Sequence, residues 1–277
     1  MLFGDFIGRI WDMLVLAALP KHLHSRLKAG ITSSYRVVSA DGWQHAIDQV
    51  LSKPVEMAIL DPQLEGEPRV HEIERFRVMF PSLPIILYTS LEPAVAPVLL
   101  RLGQANIKRV ILAWHDDHPS KIRDVLHDES ARSVSQKLLY ELRDVLDGFP
   151  QKLRWVLEAV IREPAEVSSV QELADLAQMD RRTCLRWFER VDLPKPSVLL
   201  TVLRVTYAHR LLQDPGYTVE DVALKLGYGG TKSFAFNVKE IFGMTPGELR
   251  VSLTPEEALD IVRRRYFAAS QHARAAS

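Results

Sequence analysis

The feature that most restricts this chain is a helix–break–helix pattern written twice. Ser169-Val170-Gln171-Glu172 is a capping-box sequence: the Ser oxygen accepts from a first-turn amide, and Glu172 accepts from the Ser169 N–H. Val170, Leu173, Ala174 and Ala177 follow at i, i+3, i+4 and i+7, one apolar stripe. Forty-nine residues later Thr218-Val219-Glu220-Asp221 repeats the cap, and Val219, Val222, Ala223 and Leu226 repeat the stripe. Each copy then breaks, at Gln178-Met179-Asp180 and at Gly227-Tyr228-Gly229-Gly230, before a second helix expected over 181–191 and 231–242. Helix, short turn, helix, written twice, is a repeated helix-turn-helix. A plain helical bundle would carry the same caps and stripes, so the chemistry of the second helices decides. Their outward positions hold Arg181, Arg182 and Arg186 in the first copy, and Thr231, Lys232 and Lys239 in the second. Arginine at the exposed start of such a helix can donate two hydrogen bonds to guanine O6 and N7, whereas lysines settle on phosphates.

Between the copies, residues 197–213 read as a helix started near Pro196 and stopped by Asp214-Pro215-Gly216. At 1.5 Å per residue it is a rod of ~25 Å. That length suits two recognition helices set about one DNA turn, ~34 Å, apart in successive major grooves.

Residues 218–250 (TVEDVALKLGYGGTKSFAFNVKEIFGMTPGELR) resemble the carboxyl-terminal signature of AraC/XylS-type transcription regulators. The matching marks are Ala223, Gly227-Tyr228, Phe234, Lys239, Phe242-Gly243, Thr245-Pro246 and Arg250. Upstream, Leu173-Ala174, Met179, Arg186 and Phe188 resemble that family's first helix-turn-helix, and 208–212 (AHRLL) its linker helix. The resemblance covers about residues 153–253 and implies a DNA-binding unit contacting double-stranded DNA through Arg181, Arg182, Arg186, Thr231, Lys232, Phe236 and Lys239. Three departures stand out. Phe236 occupies a place where the family usually has Arg, Val238 one where it has a core Phe, and Gln178 a turn position where Gly is usual. Residues 151–253 also hold 14 Lys/Arg against 13 Asp/Glu. Because phosphate neutralisation supplies most non-specific affinity, this near-neutrality predicts modest binding that draws on dimers or a partner.

The first ~130 residues have another rhythm. Apolar runs at Met13–Ala18, Tyr35–Ala40, 55–60, 85–88 and 110–112 alternate with amphipathic stretches at 22–28, 42–51, 70–80, 95–102 and from 121. Five such repeats predict an α/β unit: a flavodoxin-like, doubly wound, parallel five-stranded sheet covered on both faces. The all-α region with two helix-turn-helix motifs completes the expected fold. The organisation read from the sequence is 1–130 α/β unit, 131–150 linker helix, 151–253 double helix-turn-helix and 254–277 tail. In the linker, Leu138, Leu142 and Val145 form an apolar ridge suited to dimerisation or to packing within the chain.

The βα repeat also resembles the receiver domain of bacterial response regulators. Asp61, after Ala58-Ile59-Leu60, sits where that family places its phosphoacceptor, and Thr89 matches its hydroxyl residue. Phosphoryl transfer there needs a divalent cation held by an acidic pair after the first strand. Ala17-Ala18-Leu19 occupy that region, and Ala113-Trp114-His115 stand where the family has its lysine. Asp61 is therefore read as a vestigial phosphoacceptor position in a pseudo-receiver used for protein contact or signal input.

Other candidates read as structural. His115-Asp116-Asp117-His118 form a solvated loop rather than a metal site. Cys184 takes an apolar helix position, and Trp187 and Phe188 read as core or a phosphate-side contact. One cysteine and no Cys/His zinc spacing predict a cytoplasmic chain. Residues 10–19 are too short for a membrane span and have no basic leader. With 35 basic and 35 acidic side chains, global charge neither advertises nor forbids nucleic acid. The expectation is a sequence-specific DNA-binding regulator, not an enzyme, with no metal or cofactor and no membrane. Its partners would be DNA, a second copy of itself as a homodimer, and RNA polymerase or another regulatory protein. Two alternatives remain open: a response regulator phosphorylated on Asp61, and a protein adaptor that does not bind DNA.

Overall fold

The structure, a computed structural model, describes residues 13–31 and 34–267. Residues 10–12 of the apolar start and the Ala/Ser-rich end after 267 lie outside the described residues. Two compact units divide the described chain, one running to residue 136 and taking in 214–216, the other holding 137–213 and 217–267.

The first unit alternates strand and helix throughout. Its elements are β1 (Met13–Ala18), α1 (Lys21–Gly30), β2 (Tyr35–Ala40), α2 (Trp43–Ser52) and β3 (Met57–Leu60), then α3 (Val70–Met79), β4 (Ile85–Thr89), α4 (Ala96–Gln104), β5 (Arg109–Leu112) and α5 (Pro119–Ser130). The strand order is β2-β1-β3-β4-β5 with every pairing parallel, which is the flavodoxin-like, doubly wound order. Val15 stands opposite Val37 on one side and Met57 on the other. The inner strands β1, β3 and β4 are buried along their whole length, so they read as unbroken apolar runs rather than alternating ones. The edge strands β2 and β5 keep partly exposed positions and carry Arg36, Ser39 and Arg109. Val15, Ile59, Ile86 and Ile111 meet Leu23 and Leu27 of α1 and Ile122 and Leu126 of α5 in one core. That packing brings α1 and α5 so close that a Cβ on Gly30 would stand 2.8 Å from Ile122, a contact only glycine avoids. Helix α5 begins two residues before the expected start, because Pro119 supplies a preset φ at its first position.

The second unit is all helical: α6 (Val134–Leu146), within which the division falls, α7 (Gln151–Arg162), α8 (Val170–Leu176), α9 (Arg181–Arg190), α10 (Pro196–Leu212), α11 (Val219–Lys225), α12 (Thr231–Phe242), α13 (Pro246–Ser252) and α14 (Pro255–Val262), ending in a π-helical turn, Arg263–Phe267. The apolar ridge Leu138, Leu142 and Val145 is buried inside the chain, so it packs internally and is not presented as a free face. Glu141 on the same helix accepts both bonds of the Arg210 guanidinium, at 2.7 and 3.0 Å. The segment past residue 253 does not hang free as far as 267. Ala258, Leu259, Val262 and Phe267 are buried, and α14 packs on α10.

Helix α10 buries apolar residues around most of its circumference: Leu199, Leu200, Val202, Leu203, Val205, Tyr207, Ala208, Leu211 and Leu212. Such a helix belongs at the centre of a domain. It touches α7, α9, α11, α12, α13 and α14, so the expected spacer rod is also the axle on which both copies are mounted. Among the described residues no helix is long and apolar enough to cross a membrane.

Candidate nucleic-acid interface

The two copies are built alike from the first residue. Ser169 Oγ accepts from the Glu172 amide at 3.2 Å while Glu172 accepts from the Ser169 amide at 3.2 Å, a complete capping box. Thr218 and Asp221 form the second, at 3.0 and 2.8 Å. Helix α8 ends where the Gln178 amide bonds Asp175 and the Met179 amide bonds Ala174, both at 3.0 Å. Helix α11 ends identically, with the Gly227 amide on Leu224 and the Tyr228 amide on Ala223, both at 3.0 Å. This termination needs a left-handed residue. Gly227 takes it at φ 74° and Gln178 at φ 53°, so glutamine adopts the conformation its position demands. Its side chain is held there by Lys152, whose Nζ donates to Oε1 at 2.7 Å.

The recognition helices α9 and α12 bury corresponding positions fifty residues apart. Cys184 and Phe188 point inward from α9, as Phe234 and Val238 do from α12. The bulky ring changes place by one turn, so a small residue in one copy answers a large one in the other. The Cys184 thiol is wholly buried, which pushes its pKa up to about 11 and makes it a packing residue.

The outward faces differ. Arg181, Arg182 and Arg186 are all exposed on α9, and Thr231, Lys232, Phe236 and Lys239 are all exposed on α12. Arg186 and Phe236 occupy the same position of their helices, and Phe236 holds its ring 65% in solvent. Near-neutral composition concealed how the charges are spent. Arg204 donates to the Pro164 and Val167 carbonyls, Arg250 to the Tyr217 carbonyl, and Lys225 to the Tyr217 hydroxyl. Arg154 is paired with Glu158 and Asp147. Among the described residues the side chains of Arg181, Arg182, Arg186, Lys232 and Lys239 make no hydrogen bond or close ion pair, the nearest acids being Asp180 for Arg186 and Glu248 for Lys239. Some of the acids are spent too: Glu172 and Asp221 close helix caps. Five uncommitted cations thus stand on α9 and α12, with Glu189 and Glu240 exposed on the same helices.

Sequence reasoning missed Asp180 as a cap. Its carboxylate accepts the Thr183 hydroxyl at 2.6 Å and the Thr183 amide at 2.9 Å, bonds that hold its pKa below the usual range. Helix α12 has no such side chain at its start, where Gly230 stands, so its first-turn amides remain open to an anion. Trp187 is half-buried beneath the Arg190 guanidinium at 5.1 Å, and Phe188 packs on Phe149 with ring centres 4.9 Å apart.

Asp61 lies in the other unit, at the carboxyl end of β3. It is 2% exposed, accepts the Gln63 amide at 2.9 Å, and burial raises its pKa. Ala17 and Ala18 at the end of β1 are fully buried and offer it no acidic neighbour. His115, Asp116, Asp117 and His118 do not converge. Asp116 accepts the Leu112 amide, Asp117 accepts Arg26 and Tyr88, and His115 turns to the Ala113 carbonyl. Among the described residues no three His, Cys, Asp or Glu side chains gather as metal ligands.

Residues 173–252 match the family model for a helix-turn-helix domain. This segment is a helix-turn-helix domain. The chain is similar to a putative AraC-like transcription regulator of Streptomyces lividans, 32% identical over 94 residues, covering 34% of this chain and 31% of the relative. It is also similar to the RCS-specific HTH-type transcriptional activator RclR of Escherichia coli, 30% identical over 99 residues, 36% of this chain and 35% of that one. An HTH-type transcriptional regulator of Haemophilus influenzae is 27% identical over 121 residues, 44% and 39% of the two chains. The alignments thus span only 31% to 39% of the length of these relatives.

Proposed function

We propose that the chain is a sequence-specific DNA-binding transcriptional regulator of AraC/XylS type, whose two helix-turn-helix units enter successive major grooves. The observation that carries this reading is the gathering of Arg181, Arg182, Arg186, Lys232 and Lys239, unpaired, on the exposed faces of two matched helices. Side chains with no partner inside the protein are free to neutralise phosphate or meet base edges. In this reading α9 specifies, because Arg182 and Arg186 lie four apart on one helix face and can both enter a groove. Helix α12 positions: Thr231, Lys232 and Lys239 serve phosphates, and Phe236 offers an apolar surface for a thymine methyl but no donor. The α/β unit, 1–130, serves as a receiver-like module for protein contact or signal input without phosphorylation, joined through the helix of 131–150 to the DNA-binding unit of 151–253. A homodimer, RNA polymerase or another regulator is its further partner.

Duplex affinity measured against salt tests the reading. Three phosphate-neutralising cations, Arg181, Lys232 and Lys239, give a slope of log K on log salt of about −3, and Lys239→Ala lowers it by ~1 while weakening all sequences alike. Binding that ignores salt, or is absent at low salt, identifies the chain instead as a protein adaptor.

A further inference from the structure

A cleft of about 600 Å³ opens at the carboxyl ends of the strands of the α/β unit, where doubly wound sheets receive ligands. Trp114 forms one wall. It holds φ at +63°, a conformation that costs a bulky side chain energy and persists only where its surroundings impose it. Those surroundings are rigid. Buried Asp117, three residues on, accepts Arg26 Nη2 at 2.7 Å and the Tyr88 hydroxyl at 2.8 Å, and Asp116 accepts the Leu112 amide. His22 stacks on the indole at 5.7 Å and Arg26 lies 5.3 Å from its centre, yet the Trp114 side chain stays 56% exposed. A large ring held in strain, and still presented to solvent at the mouth of a cleft, is a surface prepared for contact.

The polar groups say what kind of contact. Asp61 lies at the bottom with the Gln63 amide as its hydrogen-bond donor. Beside it the wholly buried Thr89 hydroxyl faces the carboxylate without reaching hydrogen-bond geometry and has no other partner. Glu92, on the rim, accepts Gln63 Nε2 at 3.3 Å. The basic side chains on the lining are His22 and His115; no Lys or Arg lines the cleft, and the nearby Arg26 is committed to Asp117. Two carboxylates with no Lys or Arg on the lining disfavour phosphorylated and carboxylate ligands, whereas the exposed part of the indole favours a planar ring or an ammonium group.

We infer that this cleft binds an aromatic amine, with its ring on Trp114 and its ammonium directed to Glu92 and Asp61. Such a ligand would supply the input that the proposed regulatory role requires; the inference rests on that role for its consequence and on the cleft alone for binding. Calorimetry on the full chain tests it with three probes of one shape: phenethylamine, 2-phenylethanol and phenylacetate. Phenethylamine should bind saturably at one site, 2-phenylethanol at least about tenfold more weakly, and phenylacetate not at all. Trp114→Ala should weaken phenethylamine by about tenfold or more. Glu92→Gln, at an exposed residue whose replacement leaves the fold intact, should weaken the amine by about tenfold and leave 2-phenylethanol unchanged. No saturable phenethylamine binding, equal binding of phenylacetate, or an unaltered affinity in both variants overturns the inference. Duplex affinity measured on the same samples separates the outcomes, since loss of DNA binding leaves the amine result standing.

Discussion

Helices α9 and α12 bury the same positions in the same order, yet Arg186 in one and Phe236 in the other stand at the same outward place. Their supports differ too. Phe188 of the first copy closes on Phe149, which precedes α7, so that copy is completed by a helix outside its own repeat. Phe234 of the second closes on Tyr228, 5.2 Å away in its own turn, and Asn237 donates to the Tyr228 hydroxyl at 3.2 Å. Arg204 of α10 joins the two copies. It fixes the lead-in to α8 through the Pro164 and Val167 carbonyls and lays its guanidinium 5.5 Å from the centre of the Tyr228 ring. Packing demands thus hold the two backbones alike, while the surfaces, which packing does not restrain, have diverged. A recognition face is set by the few residues the core leaves free.

The largest effect should come from the core. Phe234→Ala and Phe188→Ala should each cost about 3–5 kcal/mol, because a buried ring leaves a cavity that its neighbours fill only in part. Urea denaturation followed by circular dichroism measures both. The comparison sharpens if Phe188→Ala also loosens α7, which Phe234→Ala should leave untouched, since only the first copy draws on Phe149.

The two turns should respond in opposite directions. Gly227→Ala forces a Cβ into a left-handed conformation and should cost about 1–2 kcal/mol. Gln178→Gly removes that same strain from the first copy and should stabilise by about 1 kcal/mol, less whatever the Lys152 contact contributes. Melting temperatures of the two variants against the parent decide this. Destabilisation by both would mean that the Lys152–Gln178 bond, rather than the backbone, governs the first turn.

Much of this was legible in the residues. The continuous apolar runs MLVLAA and IILY, alternating with helical stretches, read as strands covered on both faces, and the structure buries every residue of each. Both capping boxes stood in the sequence, and the same rule applied further along would have found Thr245 with Glu248 and Thr254 with Glu257. The latter opens α14, in the tail where the residues suggest only a further weak helix. Two things were out of reach. The apolar ridge of α6 looked equally fit for dimerising or for packing, because periodicity shows a face without showing what covers it. Net charge near zero said nothing about partition, since only three-dimensional contacts reveal that Arg204, Arg210 and Arg250 are spent inside the protein while Arg181, Arg182 and Arg186 are not. Trp114 was similarly hidden, because no sequence pattern announces a tryptophan forced to positive φ.

The most direct test of a reading copy beside a positioning copy is in vitro selection of duplexes bound by the parent chain and by Arg186→Ala and Phe236→Ala. The parent should select two half-sites about one helical turn apart, one sharply defined and containing guanine, the other loosely defined. Arg186→Ala should relax one position of the sharp half-site by about 1–3 kcal/mol, and Phe236→Ala should leave it unchanged. Two equally sharp half-sites, or a base preference that follows Phe236 rather than Arg186, would contradict the division of roles between α9 and α12.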